Sequence, residues 1–140
     1  MSVQFFYNEV SFPFRDRNRL KIFLSEMFAH YRKPFGTLTC IFCTDEYLLQ
    51  VNRDFLQHDY YTDIITFNLS EPRQPIQGEM YISIDRVTDN ARQQDTSFRQ
   101  ELHRVIFHGV LHLCGFKDKT PTEEKNIRAA EDLWLEKYFS

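Results

Sequence analysis

The sequence lacks any apolar run that approaches the length of a membrane span, and its first residues lack the pattern of a secretory signal peptide. Cysteine is scarce: an odd set of 3 residues is not a disulfide framework. Low-complexity tracts, internal repeats and long linkers are also missing. These absences count against a membrane-spanning protein and a disulfide-stapled secreted domain. They predict a cytoplasmic protein without a membrane partner.

An excess of basic residues is missing as well. Lysine and arginine together number 17, against 20 aspartates and glutamates, for a net charge of -3. A free-standing nucleic-acid binder is usually basic, because neutralisation of phosphates supplies most of its non-specific affinity. An RNA-directed function therefore requires a local concentration of positive side chains, or a partner that brings the protein to its substrate. The candidate positive residues are Arg53, Arg99, Arg104, Lys117 and Lys119.

The length of 140 residues suits a single domain that spans residues 1–140 and has one hydrophobic core. Strands alternate with helices and are followed by two long helices, which predicts an α+β fold with a small mixed sheet of about four strands. Hydrophobic periodicity, caps and turn residues give the boundaries. The predicted strands are 3–7, 37–43, 62–69 and 79–84; the predicted helices are 17–32, 97–113 and those that begin after Thr44, at Asp85 and after Thr120.

Cys40 and Cys43 have a spacing that occurs in zinc and redox sites. They lie in the predicted strand 37–43, however, and residues three apart on a strand point to opposite faces of the sheet. Two thiols that face apart cannot share a metal ion. The sequence therefore predicts buried structural cysteines.

His108 and His112 lie four residues apart in a predicted helix, so their side chains share one face and can bind a single metal ion. Gly115 gives the helix a place to stop, and Asp118 follows three residues later. Two imidazoles and one carboxylate leave one position of a tetrahedral zinc open, which is typical of catalytic sites. The sequence predicts one Zn²⁺ per chain, or another divalent transition metal, bound by His108, His112 and Asp118.

A histidine pair at this spacing is often only a partly buried pair that binds nothing. Three features favour a metal site here. The helix is strongly apolar around the pair, Gly109 permits close approach of backbone or ligand, and Asp118 supplies a third donor. The apolar residues of this helix are Leu102, Val105, Ile106, Val110 and Leu113.

Three blocks of the chain, in order and at matching spacing, resemble the YbeY family of single-strand-specific metallo-endoribonucleases. They are residues 108–118 (His-Gly-Val-Leu-His-Leu-Cys-Gly-Phe-Lys-Asp), residues 52–67 and residues 78–83. The resemblance covers the chain from about residue 45 to its end. It implies an α+β fold with the metal-bearing helix at its centre. It also implies a zinc-dependent endoribonuclease of ribosomal RNA processing, in 16S rRNA 3′-end maturation and ribosome quality control, with single-stranded ribosomal RNA and the ribosome or its proteins as partners.

The chain departs from the pattern of this family at three positions. Asp118 stands where the family has a third histidine, Leu56 where it has an arginine, and Tyr61 where it has a proline. A carboxylate is an acceptable zinc ligand, but it makes the centre one charge more negative than three imidazoles would. The bound water should therefore be less strongly polarised. Arg53 and His58 are candidates to replace the missing arginine.

Other functions remain open on the sequence alone. Zinc proteases carry glutamate directly after the first histidine, where this chain has Gly109, which counts against peptide hydrolysis. Two histidines and a carboxylate also describe a non-haem iron site, and hence a metal-dependent enzyme of other chemistry. The departures at Asp118 and Leu56 suit a ribosome-associated metal-binding protein with little or no nuclease activity. The sequence identifies no general base; Glu101 is predicted to be a solvated surface residue, although it could orient a ligand or carry a proton.

Overall fold

A mixed four-stranded sheet forms one layer of the protein in a computed structural model that describes residues 2–140. The strands lie in the order β1-β2-β4-β3. β1, β2 and β4 are parallel, and β3 pairs antiparallel with β4 at one edge. The strands are β1 (Ser2–Tyr7), β2 (Phe35–Cys43), β3 (Ile64–Asn68) and β4 (Ile76–Ser83).

Five helices connect and cover these strands: α1 (Arg17–His30), α2 (Asp45–Leu56), α3 (Ile84–Gln93), α4 (Phe98–Leu113) and α5 (Pro121–Phe139). A hydroxyl side chain caps the N-terminus of each helix from α2 to α5, where it accepts a backbone N–H of the first turn. At Thr120 the reciprocal bond from Glu123 completes a capping box. None of the helices within residues 2–140 is long and apolar enough to cross a membrane.

Helix α4 lies at the centre of the main core. It contacts α1, α3 and α5 as well as β3 and β4, and most of its residues are buried. Gly109 brings α4 close to the sheet, because a Cβ at this position would lie 2.4 Å from Met80 Sδ and 2.7 Å from Ile64 Cδ1. The glycine after the first histidine therefore serves helix-to-sheet packing. This close packing sets the distance between His108 and β3.

The other face of the sheet carries a smaller core beneath α2, formed by Cys43, Leu48, Val51 and Ile65. Cys40 belongs instead to the main core on the α4 side. The two cysteines are thus buried on opposite faces and are not disulfide-bonded, as the strand pattern predicted. Cys114 is buried and free as well.

The predicted α+β class, the mixed four-stranded sheet and the central histidine helix are confirmed. Several predicted boundaries and one predicted cap differ from the structure. β4 begins at Ile76 instead of residue 79, because its first residues pair with Phe35 and Thr37 of β2. β3 is shorter than 62–69 at both ends. The capping box predicted at Ser97 is present only as the bond from the Gln100 N–H to Ser97 Oγ.

Candidate metal centre and its cavities

The last two turns of α4 and the loop after it bring three ligand atoms together. His108 Nε2 and His112 Nε2 are 2.9 Å apart on one face of the helix. Gly115, at φ +107, turns the chain back, and the Phe116 N–H donates to the Leu111 carbonyl at 3.0 Å. Asp118 Oδ2 then lies 3.2 Å from His112 Nε2 and 3.4 Å from His108 Nε2. The three residues that the sequence predicted as ligands therefore form one cluster.

The dimensions of this cluster suit a metal ion. Ligands about 2.0–2.1 Å from a tetrahedral zinc are about 3.3 Å from one another, and an octahedral ion at about 2.15 Å has ligands about 3.0 Å apart. The three distances of 2.9, 3.2 and 3.4 Å span these values. The donor set of two imidazoles and one carboxylate is also one that transition metals accept. The cluster fits one metal ion with a face open to further ligands.

Hydrogen bonds to the far nitrogens hold both imidazoles in place. His108 Nδ1 lies 2.5 Å from Glu131 Oε2, and His112 Nδ1 lies 2.9 Å from the Phe116 carbonyl oxygen. When each Nδ1–H donates to its oxygen, each Nε2 lone pair is left for the cluster. Partners of this kind fix the tautomer and the ring orientation of metal-binding histidines.

Glu131 is the residue of this arrangement that sequence reasoning missed. It lies on the face of α5 that Ile127, Trp134 and Tyr138 share, and it is buried with them. Arg104 Nη1 contacts its other oxygen, Oε1, at 3.0 Å. A carboxylate on an otherwise apolar stripe is the one signal in the sequence that could have pointed to it.

The electrostatic surroundings of His108 favour positive charge. Burial by itself lowers the pKa of His108, but the hydrogen bond to Glu131 and the nearby carboxylates of Glu131, Asp63 and Asp118 outweigh burial, so the net shift is upward. The same carboxylates favour a divalent cation at the ligand atoms. Because zinc binds neutral imidazole, protons compete with the metal for this site.

A cavity of about 380 Å³ opens beside His108, on the side of α3 and α5. Glu101 lines it and is only 2 % exposed, so the prediction of a solvated surface glutamate was wrong. The reason is that α3 and α5 cover the side of α4 that carries Glu101. Its Oε1 is 4.0 Å from Arg104 Nε, which is too far for a hydrogen bond, and burial raises its pKa.

Asp63 lies where this cavity meets a second one. Asn90 Nδ2 donates to Asp63 Oδ2 at 3.1 Å, and burial raises the pKa of Asp63. The second cavity, of about 500 Å³, lies on the other side of the ligand cluster. Its wall is built largely from the loop and strand between His58 and Thr66. Asp63, His108 and Asp118 line both cavities.

The predicted basic residues are dispersed. Arg53 forms a salt bridge with Asp59 and does not line either cavity. Arg99 pairs with Asp16, and Arg104 is held by Glu131 and Asp132. Lys119 is the basic residue among those that line the second cavity. Leu56, at the position where the resemblance expects arginine, lines that cavity too.

Comparison with known proteins identifies the family. The sequence profile described as endoribonuclease YbeY matches residues 9–139. The chain belongs to the YbeY family. A relative from Cytophaga hutchinsonii named endoribonuclease YbeY is 49% identical over 134 residues, which are 96% of this chain and 94% of the relative. One of the same name from Porphyromonas gingivalis strain W83 is 45% identical over 133 residues, 95% of this chain and 87% of the relative.

A solved structure shares the fold. The solution structure of TM1509 from Thermotoga maritima superposes with a TM-score of 0.60 at 25% identity, and the match covers 96% of this chain and 87% of that protein. The predicted family, the endoribonuclease class that its members' names carry, and the fold are thereby confirmed.

Proposed function

We propose that the protein is a zinc-dependent endoribonuclease that cleaves single-stranded RNA in ribosomal RNA processing. The observation that carries the proposal is the triangle of His108, His112 and Asp118, whose two imidazoles present Nε2 to one point where two cavities meet. This triangle lies in a chain of the YbeY family. The proposed ligands are these three residues, and the proposed metal is one zinc ion per chain.

Each part of the site has a role that its chemistry supports. A bound zinc would supply Lewis acidity, which stabilises charge on a phosphoryl oxygen and lowers the pKa of water. His108 and His112 hold their ring orientation through Glu131 and the Phe116 carbonyl oxygen. Burial raises the pKa of the partly buried Asp63 and of the buried Glu101, so either carboxyl group holds a proton more readily than an exposed acid and is a candidate to carry one. Analysis of the RNA ends in the products distinguishes hydrolysis from attack by the RNA 2′-hydroxyl.

The two cavities account for a single-stranded substrate. They adjoin on opposite sides of the ligand cluster, which lets a flexible strand place one phosphate at the cluster and a nucleotide on either side. A duplex of A-form RNA is stiffer and cannot bend its scissile phosphate into such a junction. We therefore expect cleavage of unstructured RNA and resistance of duplex RNA.

The deciding experiment incubates metal-loaded protein with unstructured RNA, duplex RNA and an unfolded protein, with and without a chelator. Only the unstructured RNA should be cut, and the chelator should stop the reaction. His108→Ala is the inactive variant, and His30→Ala, in α1 away from the cluster, is the matched control that should retain activity. Equal cleavage by His108→Ala would indicate a contaminating nuclease and would remove the case for this site.

The distances in the cluster are compatible with both zinc and iron. Metal analysis of the purified protein is therefore needed to identify the ion. Stoichiometric iron with no RNA cleavage would favour an enzyme of other chemistry. Stoichiometric zinc with no cleavage of any RNA would favour a ribosome-associated binding protein.

Ribosomal particles are the proposed setting of the reaction, in 16S rRNA 3′-end maturation and ribosome quality control in the cytoplasm. The net charge of -3 disfavours binding to free RNA, and Arg53 and Arg99 are already paired with acids. We therefore expect weak, salt-sensitive binding to naked RNA and faster cleavage of the same RNA within small-subunit particles. Equal rates on naked and assembled RNA would contradict the ribosomal setting.

A further inference from the structure

Two aromatic rings stand together at the edge of the second cavity, in the loop between α2 and β3. The rings of Tyr60 and His58 are nearly parallel, at 20° and with centroids 5.1 Å apart, and Tyr60 Oη lies 3.0 Å from His58 Nδ1. Tyr60 is 57 % exposed. Both side chains line the same cavity as the ligand cluster. The cavity that holds the ligand cluster therefore also has a preformed, solvent-open aromatic surface.

The backbone under these rings is held by one buried residue, Asn52. Asn52 is 1 % exposed, and its side-chain Nδ2 donates to the Tyr60 carbonyl oxygen at 2.9 Å. The backbone carbonyl of Asn52 accepts from the His58 N–H at 3.1 Å. Gln57, the residue after α2, adopts the left-handed conformation at φ +56 and leads the chain into this loop. A loop that is already ordered loses little conformational entropy when a ligand binds.

The neighbouring aromatic residues are arranged differently. Tyr61 Oη donates to Glu46 Oε1 at 2.8 Å, and the guanidinium of Arg86 lies 4.9 Å from the centre of the Tyr61 ring. Phe55 is exposed but packs edge-on against Phe67 and does not line the cavity. Tyr60 is the tyrosine among the residues that line the second cavity together with the ligand cluster.

The lining of this cavity has few cationic side chains that could bind the phosphates of an RNA strand. Leu56 takes the position of the expected arginine, and Lys119 is the basic side chain among the lining residues. Stacking of a base on an aromatic ring depends on neither charge nor base identity, because every base has a π-face. Only an unpaired base can offer that face, since the bases of a duplex are stacked on one another.

We propose that Tyr60, supported by His58, is a stacking platform for one unpaired RNA base next to the phosphate at the ligand cluster. The proposal rests on the proposed endoribonuclease function, and it names the feature that selects single strands. In this protein the platform supplies part of the RNA affinity that an arginine at position 56 would supply by binding the phosphate. Tyr60 is a binding residue, so it acts on RNA affinity and on KM more than on kcat.

Binding is measured first, by fluorescence anisotropy of a short unstructured RNA with chelator-treated protein, so that no cleavage occurs. Loss of one stacked base costs about 1–3 kcal/mol, so Tyr60→Ala should raise Kd by about 5-fold to about 160-fold. Tyr60→Phe keeps the ring and should restore binding to within about 3-fold of the unchanged protein. Phe55→Ala is the matched control: it removes an exposed aromatic ring outside the cavity and should leave Kd unchanged.

A substrate with one abasic nucleotide tests the contact directly. When the abasic position is moved along the RNA, one position should weaken binding to the unchanged protein by about the same factor as Tyr60→Ala, and have no further effect in Tyr60→Ala. Equal losses in both proteins at every position would overturn the platform. So would a Kd for Tyr60→Ala that equals that of the unchanged protein.

The two proposals fail in different ways. If the metal-loaded protein binds single-stranded RNA through Tyr60 but does not cut it, the platform stands and the nuclease proposal fails. If Tyr60→Ala cuts unstructured RNA with unchanged KM and Kd, the nuclease proposal stands and the platform is wrong. Circular dichroism and thermal unfolding of each variant establish that it is folded.

Discussion

Glu131 Oε2 lies 2.5 Å from Nδ1 of His108, so a carboxylate on the last helix holds an imidazole on the helix before it. Arg104 binds the other oxygen of the same carboxylate at 3.0 Å and is itself anchored to Asp132 at 2.7 Å. The contact therefore couples the packing of α5 against α4 to the orientation of a proposed metal ligand. It also places a negative charge directly behind His108.

Glu131→Gln should weaken metal binding by about 10- to 100-fold, because the charged acceptor of the His108 Nδ1–H is lost. Competition with a chromogenic chelator measures this. Asp132→Asn is the matched control, since Asp132 also pairs with Arg104 but is largely exposed and does not touch His108. Equal losses in the two variants would mean that general charge near α5, and not the contact with His108, sets the affinity.

His112→Ala should abolish stoichiometric metal binding at neutral pH, because only two protein ligands would remain. Asp118→His should retain the metal, since imidazole and carboxylate are both competent donors, and it restores the three-histidine set of the family resemblance. Elemental analysis of dialysed protein gives the metal content. Full zinc occupancy in His112→Ala would place the metal site elsewhere in the chain.

Gly115→Ala should lower the free energy of unfolding by about 1–2 kcal/mol, because φ +107 is strained for a residue with a Cβ. It should also weaken metal binding, since this turn returns Asp118 to the histidines. Urea unfolding of metal-free protein measures the first effect. Gly36→Ala is the control: a Cβ there meets only ordinary contacts, 3.8 Å from the Ile76 carbonyl oxygen, so stability should be unchanged or slightly higher. Equal stability of the Gly115 variant and the unchanged protein would show that the turn relaxes.

His103 should make the protein sensitive to acid. Burial lowers its pKa from 6.5 to about 4, and the nearby Arg99 and Arg19 add to the shift, whereas the bond to the Arg99 carbonyl oxygen and the charge of Asp16 oppose it. The unfolded chain therefore binds a proton more readily than the folded protein. This contribution to stability is complete above the unfolded pKa and declines as the pH falls from 6.5 toward 4.

The expected loss is about 2 kcal/mol of unfolding free energy between roughly pH 7.5 and roughly pH 5. Urea titrations of metal-free protein at the two pH values measure it. His103→Phe cannot be protonated and fits among the Tyr138 and Phe107 rings, so its stability should fall by about 2 kcal/mol less over the same range. Parallel losses in both proteins would assign the acid sensitivity to other groups.

The proposed ligands could be predicted from the sequence because they depend on local geometry. His108 and His112 are one helical turn apart, and the glycine at position 115 and a short loop bring Asp118 back to them. Helical periodicity, the glycine that ends the helix and the length of the loop are all visible in the sequence. The same holds for the two cysteines of β2, whose opposite faces follow from the period of a strand.

Other parts of the site depend on contacts between distant segments. Glu131 reaches His108 from 23 residues away, and only the rotation of α5 against α4 brings them together. Glu101 was expected to be exposed because an amphipathic helix usually has one face in contact with solvent. Helices α3 and α5 pack over that side of α4 and bury it. The exposure of Tyr60 at the second cavity was likewise decided by the tertiary structure, where Asn52 ties the loop to α2. Local sequence fixes which groups share a turn or a strand face; burial and long-range contacts are set by which surfaces pack together.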